Sequence, residues 1–296
     1  MYTNQINTRL LYPSFNYFEP TTPEETVQLL AKYGPDAVIL AGGTDLLIKM
    51  KEGLIEPKTI IRVKHPSFIE KKPDGFHIGA ATKLRTLEKS RAVIETFPAL
   101  LEAIKLIGSV QIRYMATLGG NLCNASPAAD TAPPLLVMDA EVRILGPSGE
   151  RVVPLKEFFL GPGKTVLSKS EILTEIRIPP FKGKTGTAFI RLSRASMDIA
   201  KISIAVLLHL EDGGKVVSAR IALGSVAPTP ILANKAAEIL IGKSLTKETV
   251  ARAAEAVADE IRPITDIRGT AEYRKEVSHV IARDALEVAR RRAKEN

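Results

Sequence analysis

The sequence has one cysteine in 296 residues, Cys123, so no internal disulfide can form. An iron–sulfur cluster held by this chain alone is excluded as well, because such clusters usually take four thiolates. Neither staple is needed, since a chain of this length has ample residues for a hydrophobic core. Histidines are few. His65, His77, His209 and His279 lie far apart, and none forms a metal-ligand spacing such as HxxxH. We read them as ordinary surface or core residues and expect no metal site. No apolar run reaches the roughly 18 residues that suggest a membrane span. Met1-Tyr2-Thr3-Asn4-Gln5 lacks the basic stretch and apolar core of a secretory signal, so a cytoplasmic protein is expected.

Recognisable catalytic signatures are also missing. There is no GxGxxG, hence no Rossmann fingerprint, and no GxSxG elbow. Gly161-Pro162-Gly163-Lys164-Thr165 ends like a phosphate-binding P-loop. That pattern needs a glycine where Phe158 stands, so we read the segment as an ordinary loop. Aromatic residues are scarce, at 5%, and the net charge of +8 is spread along the chain. Both facts argue against nucleic acid as a partner. The one basic cluster, Arg290-Arg291-Arg292 with Lys294, reads as cations favoured at a helix C-terminus.

What is present suits a soluble globular protein, with 45% apolar and 25% charged residues. Thr22, Pro23 and Glu25 mark a helix start, and Gly34-Pro35 its end. A short apolar run, Ala37–Leu40, then enters Gly42-Gly43, which reads as a buried strand and a glycine loop. Strands are expected at 59–64, 76–81, 141–145 and 172–178, and helices at 84–90 and 98–107. Composition changes at Pro179-Pro180, followed by Lys182-Gly183-Lys184, and a domain boundary is placed there, dividing the chain into 1–180 and 181–296. The second part reads as strands 187–194, 202–210 and 216–224, the last two flanking Asp212-Gly213-Gly214, a hairpin signal. Helices at 230–241, 246–261 and 271–292 follow. Strands and then helices indicate an α+β unit.

Two segments carry the chemistry. Ala41-Gly42-Gly43-Thr44-Asp45-Leu46 and Thr117-Leu118-Gly119-Gly120-Asn121-Leu122 each place paired glycines after an apolar run, followed by a small polar residue. Glycine allows positive φ and close approach of a ligand. Successive backbone N–H groups in such turns form an anion nest. Two nests converging on one pyrophosphate would hold a dinucleotide such as FAD; taken alone, each is also compatible with an ordinary turn. Beyond the second pair, small and polar residues lead from Cys123 to Asp130 and into an apolar stretch, 135–138. Asp130 is read either as an acceptor for sugar-like hydroxyls or as a helix N-cap. Cys123 is read as a small buried residue.

In combination, these stretches resemble the FAD subunit of the xanthine dehydrogenase and carbon monoxide dehydrogenase family. VILAGGTDLL (38–47) is similar to its first flavin motif and QIRYMATLGGNLCNASPAAD (111–130) to its second. IGAAT (78–82) and AFIRLSRASMDIAK (188–201) resemble the strand between them and the opening of the C-terminal domain. The resemblance implies an α+β protein. A two-lobed FAD-binding domain of the PCMH type would be followed by an α+β domain of the carbon monoxide dehydrogenase flavoprotein type. It implies cofactor contacts from Leu40, Ala41, Gly42, Gly43, Thr44, Asp45 and Leu46, from Thr117, Gly119, Gly120 and Asn121, and from Asn124 and Asp130. Arg191 falls where the family usually has a lysine near the flavin. Thr44-Asp45 replaces the His-Ser of the carbon monoxide type, which leans away from that substrate. The implied partners are a large molybdopterin subunit and a small [2Fe-2S] subunit, with NAD or another acceptor taking the electrons. A stand-alone FAD-dependent reductase of the same broad fold, such as the enolpyruvyl-sugar reductase of cell-wall synthesis, is the alternative. A non-enzymatic module for acidic partners ranks below both.

Overall fold

The computed structural model describes residues 14–181 and 183–295. The N-terminal pentapeptide read for a signal, and Lys182 of the proposed boundary, lie outside the described residues. Three larger sheets organise the described residues, beside a two-stranded ribbon of Phe159–Gly161 and Lys164–Thr165. The first is small and parallel, with Thr59–Arg62 between Asn16–Phe18 and Ala37–Leu40. Its two faces alternate along the strand. Ile61 packs with Val27 and Leu30 of the helix Pro23–Tyr33, whereas Ile60 packs with Leu40 and Met50 on the side of the helix Leu46–Lys51.

Pro23–Tyr33 begins as its sequence suggests. Thr22 accepts from the Glu25 amide at 3.1 Å, and Pro23 occupies the first turn. Glu25 reaches back to the Thr21 amide, at 2.7 Å, rather than to Thr22, so the capping box closes one residue early. Its buried side chains also touch Leu145 and Ile172 of the second sheet. The helix therefore joins two lobes. Burying each of those aliphatics contributes roughly 1.5–3 kcal/mol, and Leu30→Ala would loosen the joint first.

The second sheet is antiparallel, in the order Ile69–Lys72, Gly75–Gly79, Ile172–Ile178, Glu141–Gly146, Gly149–Pro154. Short helices cover one face, including Leu84–Lys89, Pro98–Leu106, Leu118–Cys123 and Ala132–Val137. The third sheet is antiparallel and runs Lys184–Leu192, Ile202–Leu210, Val216–Gly224, Ile231–Leu232. Ile202–Leu210 is apolar except for Ser203 and His209, because both faces of the sheet are covered. Ile204, Val206 and Leu208 face the C-terminal helices, while Ala205 and Leu207 join the core of the second lobe. Those helices are Asn234–Leu240, Lys247–Glu260 and Ala271–Glu295.

Three expectations change on contact with the structure. The strand expected from Thr187 begins at Lys184 and ends at Leu192. The helix expected from Pro230 begins at Asn234 instead. Before it, Ile231 and Leu232 add a fourth strand, paired with Leu223 and Ala222. An open sheet edge outcompetes a helical turn there. The basic C-terminal cluster does more than sit at a helix end. Arg292 donates to the Thr187 carbonyl at 2.7 Å and pairs with Glu102 of the second lobe, and Arg290 donates to the Leu245 carbonyl at 2.8 Å.

Candidate functional site

Ala37–Leu40 ends at the carboxyl edge of a parallel sheet, the edge at which open α/β sheets take ligands. The chain then turns at Gly43, whose φ of +76° is a left-handed conformation that favours glycine. It enters Leu46–Lys51, with the Leu47 amide bonded to the Gly43 carbonyl at 3.0 Å. The amides of Gly42, Gly43, Thr44 and Asp45 have no protein acceptor among the described residues. Four successive unpaired N–H groups at a turn form an anion nest.

The second glycine pair is built differently. It is not a loop but the first turn of Leu118–Cys123, with Thr117 as its cap. Neither Gly119 nor Gly120 has positive φ. The amide of Leu118 bonds the Thr82 carbonyl at 3.0 Å, and that of Gly119 the Ala80 carbonyl at 2.9 Å. Gly120 N–H donates to Thr117 Oγ1 at 3.0 Å, and Asn121 N–H to the Thr117 carbonyl at 3.0 Å. Hence the second nest expected from the sequence does not form, because its donors are consumed by the framework. Gly119 is required by packing, since a Cβ there would lie 2.7 Å from the Ala80 carbonyl oxygen. Gly42 has the same role in the first pair, where a Cβ would strike the Met115 carbonyl across the lobes. What the second segment offers outward is side chains. Asn121 Oδ1 accepts from Thr131 at 2.6 Å, which leaves its NH2 free, and Thr117 keeps its hydroxyl proton to donate.

These two segments face each other across a cleft of about 550 Å³. The structure brings Ala41, Gly42, Gly43, Thr44, Asp45 and Leu46 to one wall and Thr117, Gly120, Asn121 and Asn124 to the other. Gly119 borders an adjoining recess of about 120 Å³ that shares Ala41, Thr117 and Gly120. Leu40 lies outside the wall, buried in the first lobe's core. A bridge crosses the cleft: Asn124 donates to Asp45 at 3.0 Å and accepts from Lys49 Nζ at 2.9 Å. Lys49 is absent from our reading of the sequence. Its signal was there to find, since it follows Asp45 by four residues and so shares its helix face.

Asp130 and Arg191 sit apart from the cleft wall and are bound to each other. Arg191 Nη1 lies 2.8 Å from Asp130 Oδ2, and both side chains are buried, at 3% and 7% exposure. Arg191 also donates to the Ser196 carbonyl at 2.6 Å. The helix-cap role for Asp130 does not occur; Thr131 holds the cap position of Ala132–Val137, and without a side-chain bond. Asp130 Oδ1 is buried with no partner. Desolvation pushes the Asp130 carboxyl up to about 6, against the opposing pull of the Arg191 guanidinium.

Beyond Asn124 the chain leaves the cleft and reaches a second hollow of about 340 Å³. Ser126, Pro127 and Ala128 form one side, and Ile199, Ser225 and Arg274 belong to the other. Burial pushes the Cys123 thiol up to about 12, so it remains a thiol rather than a reactive thiolate. The hollow was missed in the sequence because its residues come from five separated stretches without a shared motif.

A two-lobed dinucleotide-binding unit backed by an α+β unit is the class that this fold and cleft define. Comparison with known proteins narrows it. Residues 13–181 match the FAD binding domain in molybdopterin dehydrogenase, and residues 187–289 the CO dehydrogenase flavoprotein C-terminal domain. The chain is 36% identical to the carbon monoxide dehydrogenase medium chain of Hydrogenophaga pseudoflava, over 95% of this chain and 98% of that one. It is 33% identical to the xanthine dehydrogenase FAD-binding subunit of Escherichia coli O157:H7, over 93% and 95%. In three dimensions it resembles the carbon monoxide dehydrogenase of H. pseudoflava (TM-score 0.92, 36% identity, 96% of this chain and 99% of that one). Quinoline 2-oxidoreductase from Pseudomonas putida 86 follows at a TM-score of 0.89, 28% identity, 96% and 99%. The chain belongs to the family of FAD-binding subunits of molybdenum-dependent dehydrogenases, and its cofactor is FAD.

Proposed function

We propose that this chain is the electron-relay subunit of a molybdenum hydroxylase complex, standing between iron–sulfur centres on a small [2Fe-2S] subunit and an acceptor such as NAD. The large molybdopterin subunit would oxidise the organic substrate. The observation that carries the reading is the cleft, where a nest of unpaired amides faces the Thr117 and Asn121 donors. Bound FAD supplies the redox chemistry, and the protein supplies binding, orientation and electrostatics. In this reading Gly42, Gly43, Thr44 and Asp45 hold the pyrophosphate through backbone N–H groups, with Thr117 and Asn121 opposite. Asp130 turns its unpartnered Oδ1 to a cofactor hydroxyl. Such a bond restores a partner to a buried acceptor, which otherwise costs about 1–3 kcal/mol. Cys123–Ala128 would hold the cofactor between cleft and hollow, with Ile199 and Ala200 lining the hollow's far side. Arg191 acts on the cofactor through Asp130.

We place the division of labour at Pro179-Pro180, with residues 1–180 as the FAD-binding domain and 181–296 as the C-terminal domain. The gap between the two family matches, 181 to 187, supports that boundary. Purification from the native host tests the whole reading. Molybdenum and iron should co-elute with this chain and be lost when it is made alone. The isolated chain should then oxidise no purine, aldehyde or N-heterocycle. A metal-free chain that turns over an organic substrate by itself would instead establish the stand-alone reductase.

A further inference from the structure

Of the described residues lining the cleft, only Asp45 and Lys49 carry charge. A pyrophosphate brings two negative charges into this space, and Asp45 adds a third. Unpaired amides offset part of that, but they are dipoles rather than charges. Lys49 is the one cation on the wall among the described residues, and it is half-buried. Its Nζ has three donors, of which Asn124 Oδ1 takes one at 2.9 Å. Asn124 is oriented by its other end, which donates to Asp45 Oδ1 at 3.0 Å. The amide therefore turns its oxygen to Lys49 and its nitrogen to Asp45, keeping cation and carboxylate on separate hydrogen bonds. Among the described residues no salt bridge neutralises Lys49.

We propose that Lys49 is the electrostatic determinant of pyrophosphate binding in this chain, held in place by Asn124. The proposal rests on the reading that the cofactor's phosphates occupy the cleft. It assigns a role to a residue of the helix Leu46–Lys51 that lies outside both glycine segments. Lys49 acts as a point charge of adjustable reach, not as a bidentate fork, which suits two phosphates held mainly by backbone N–H groups. It also predicts cofactor choice. A flavin with a pyrophosphate gains from Lys49, and a flavin without phosphate does not.

The test is titration of the full-length apoprotein with FAD and with riboflavin, at low and high salt. For Lys49→Gln, FAD affinity should fall at least about tenfold at low salt, as expected for loss of one charge-assisted bond. The deficit should shrink towards high salt, because screening removes the same contribution from the unmutated chain. Riboflavin affinity should not change, and Lys49→Arg should restore most FAD affinity. If Lys49→Gln binds FAD within about twofold of the parent at low salt, the proposal fails. It fails equally if the deficit is independent of salt, since the loss is then structural. Failure of the unmutated chain to bind FAD at all would overturn the prior reading of the cleft instead.

Discussion

Ala41–Leu46 and Thr117–Leu122 look interchangeable as letters and are not interchangeable as structure. In the first, the amides of Gly42 to Asp45 have no protein acceptor among the described residues, and Gly43 holds a φ of +76°. In the second, the amides of Leu118 to Asn121 are all used internally, and neither glycine has positive φ. The first segment exposes backbone. The second hides its backbone and presents the Thr117 hydroxyl and the Asn121 amide. A Gly-Gly pair therefore reports that backbone comes close to something, while the hydrogen-bond account says whether that something is ligand or protein.

The sharpest way to break this comparison is to place the same side chain in both segments. A Cβ at Gly119 meets the Ala80 carbonyl and Cβ, both at 2.7 Å, and neither can yield without moving the helix off the sheet. Gly119→Val should cost roughly 3 kcal/mol of apoprotein stability, the upper end for overpacking, and lose FAD through unfolding. At Gly43 the nearest atoms belong to the Leu40 and Leu47 side chains, which can turn aside. Gly43→Val should stay folded, at a strain of roughly 1–3 kcal/mol, but its reoriented amides should no longer hold FAD. Thermal melts of the two apoproteins, followed by flavin titration, check both. A Gly119→Val protein that melts like the parent yet rejects FAD would make the second segment a ligand loop after all.

Asp130, at the far end of the second segment's run, gives a pH signature. Its folded value, about 6, lies above the ordinary 3.8, so between those values the fold binds protons that the unfolded chain releases. Apoprotein stability should accordingly fall as pH rises from about 4 to about 6, by on the order of 2 kcal/mol, and level off above. A cofactor hydroxyl donating to Oδ1 favours the ionised carboxylate, so FAD affinity should rise over the same window. Asp130→Asn should flatten both curves. Parallel curves in parent and variant would remove Asp130 from the account of either property.

Much of the fold was legible because it follows from local rules. Thr22-Pro23, Asp212-Gly213-Gly214 and the largely apolar stretch 202–210 each declare an element without tertiary context. The strand Ile231–Leu232 did not, because only the unpaired edge of Val216–Gly224 makes it a strand. In the site, ten of the proposed contacts were brought to one cleft by two motifs. Asp130 and Arg191 were assigned to a ligand but are tied first to each other, a pairing across 61 residues that no spacing rule detects. The second hollow escaped for the same reason.

A smaller effect separates the two functions of Thr117. As a cap it accepts from Gly120 N–H, and Thr117→Ala should cost about 1 kcal/mol of stability, within the usual range for a lost N-cap. As a proposed ligand donor it should also cost FAD affinity beyond that destabilisation. Thr117→Asp restores a cap acceptor but places a negative charge in the cleft. Stability close to the parent with FAD binding lost, measured on the same preparation, would separate cap from donor. Equal recovery of both properties would reduce Thr117 to a cap.

The smallest expected effect is at Asn124, the residue that joins the two segments. Its bond to Asp45 is exposed and its bond to Lys49 half-buried, so water can compete for both. Both partners are charged, so each bond is charge-assisted, but solvent competes for them and leaves a net contribution near the low end of the usual range, about 0.5–1.5 kcal/mol together. Asn124→Ala should therefore shift apoprotein stability by less than about 1 kcal/mol. Its effect on cofactor should be larger, because an unheld Lys49 meets the Asp45 carboxylate directly and spends its charge there. We expect FAD affinity to fall about threefold to tenfold, on the order of 1 kcal/mol. Asn124→Asp gives the opposite arrangement, one new carboxylate that pairs with Lys49 and repels Asp45, and should bind FAD more weakly than Asn124→Ala. The order parent, Asn124→Ala, Asn124→Asp in FAD affinity tests whether the bridge works by keeping opposite charges apart. If Asn124→Asp binds FAD as well as the parent does, the bridge is merely steric, and the two segments meet the cofactor independently of each other.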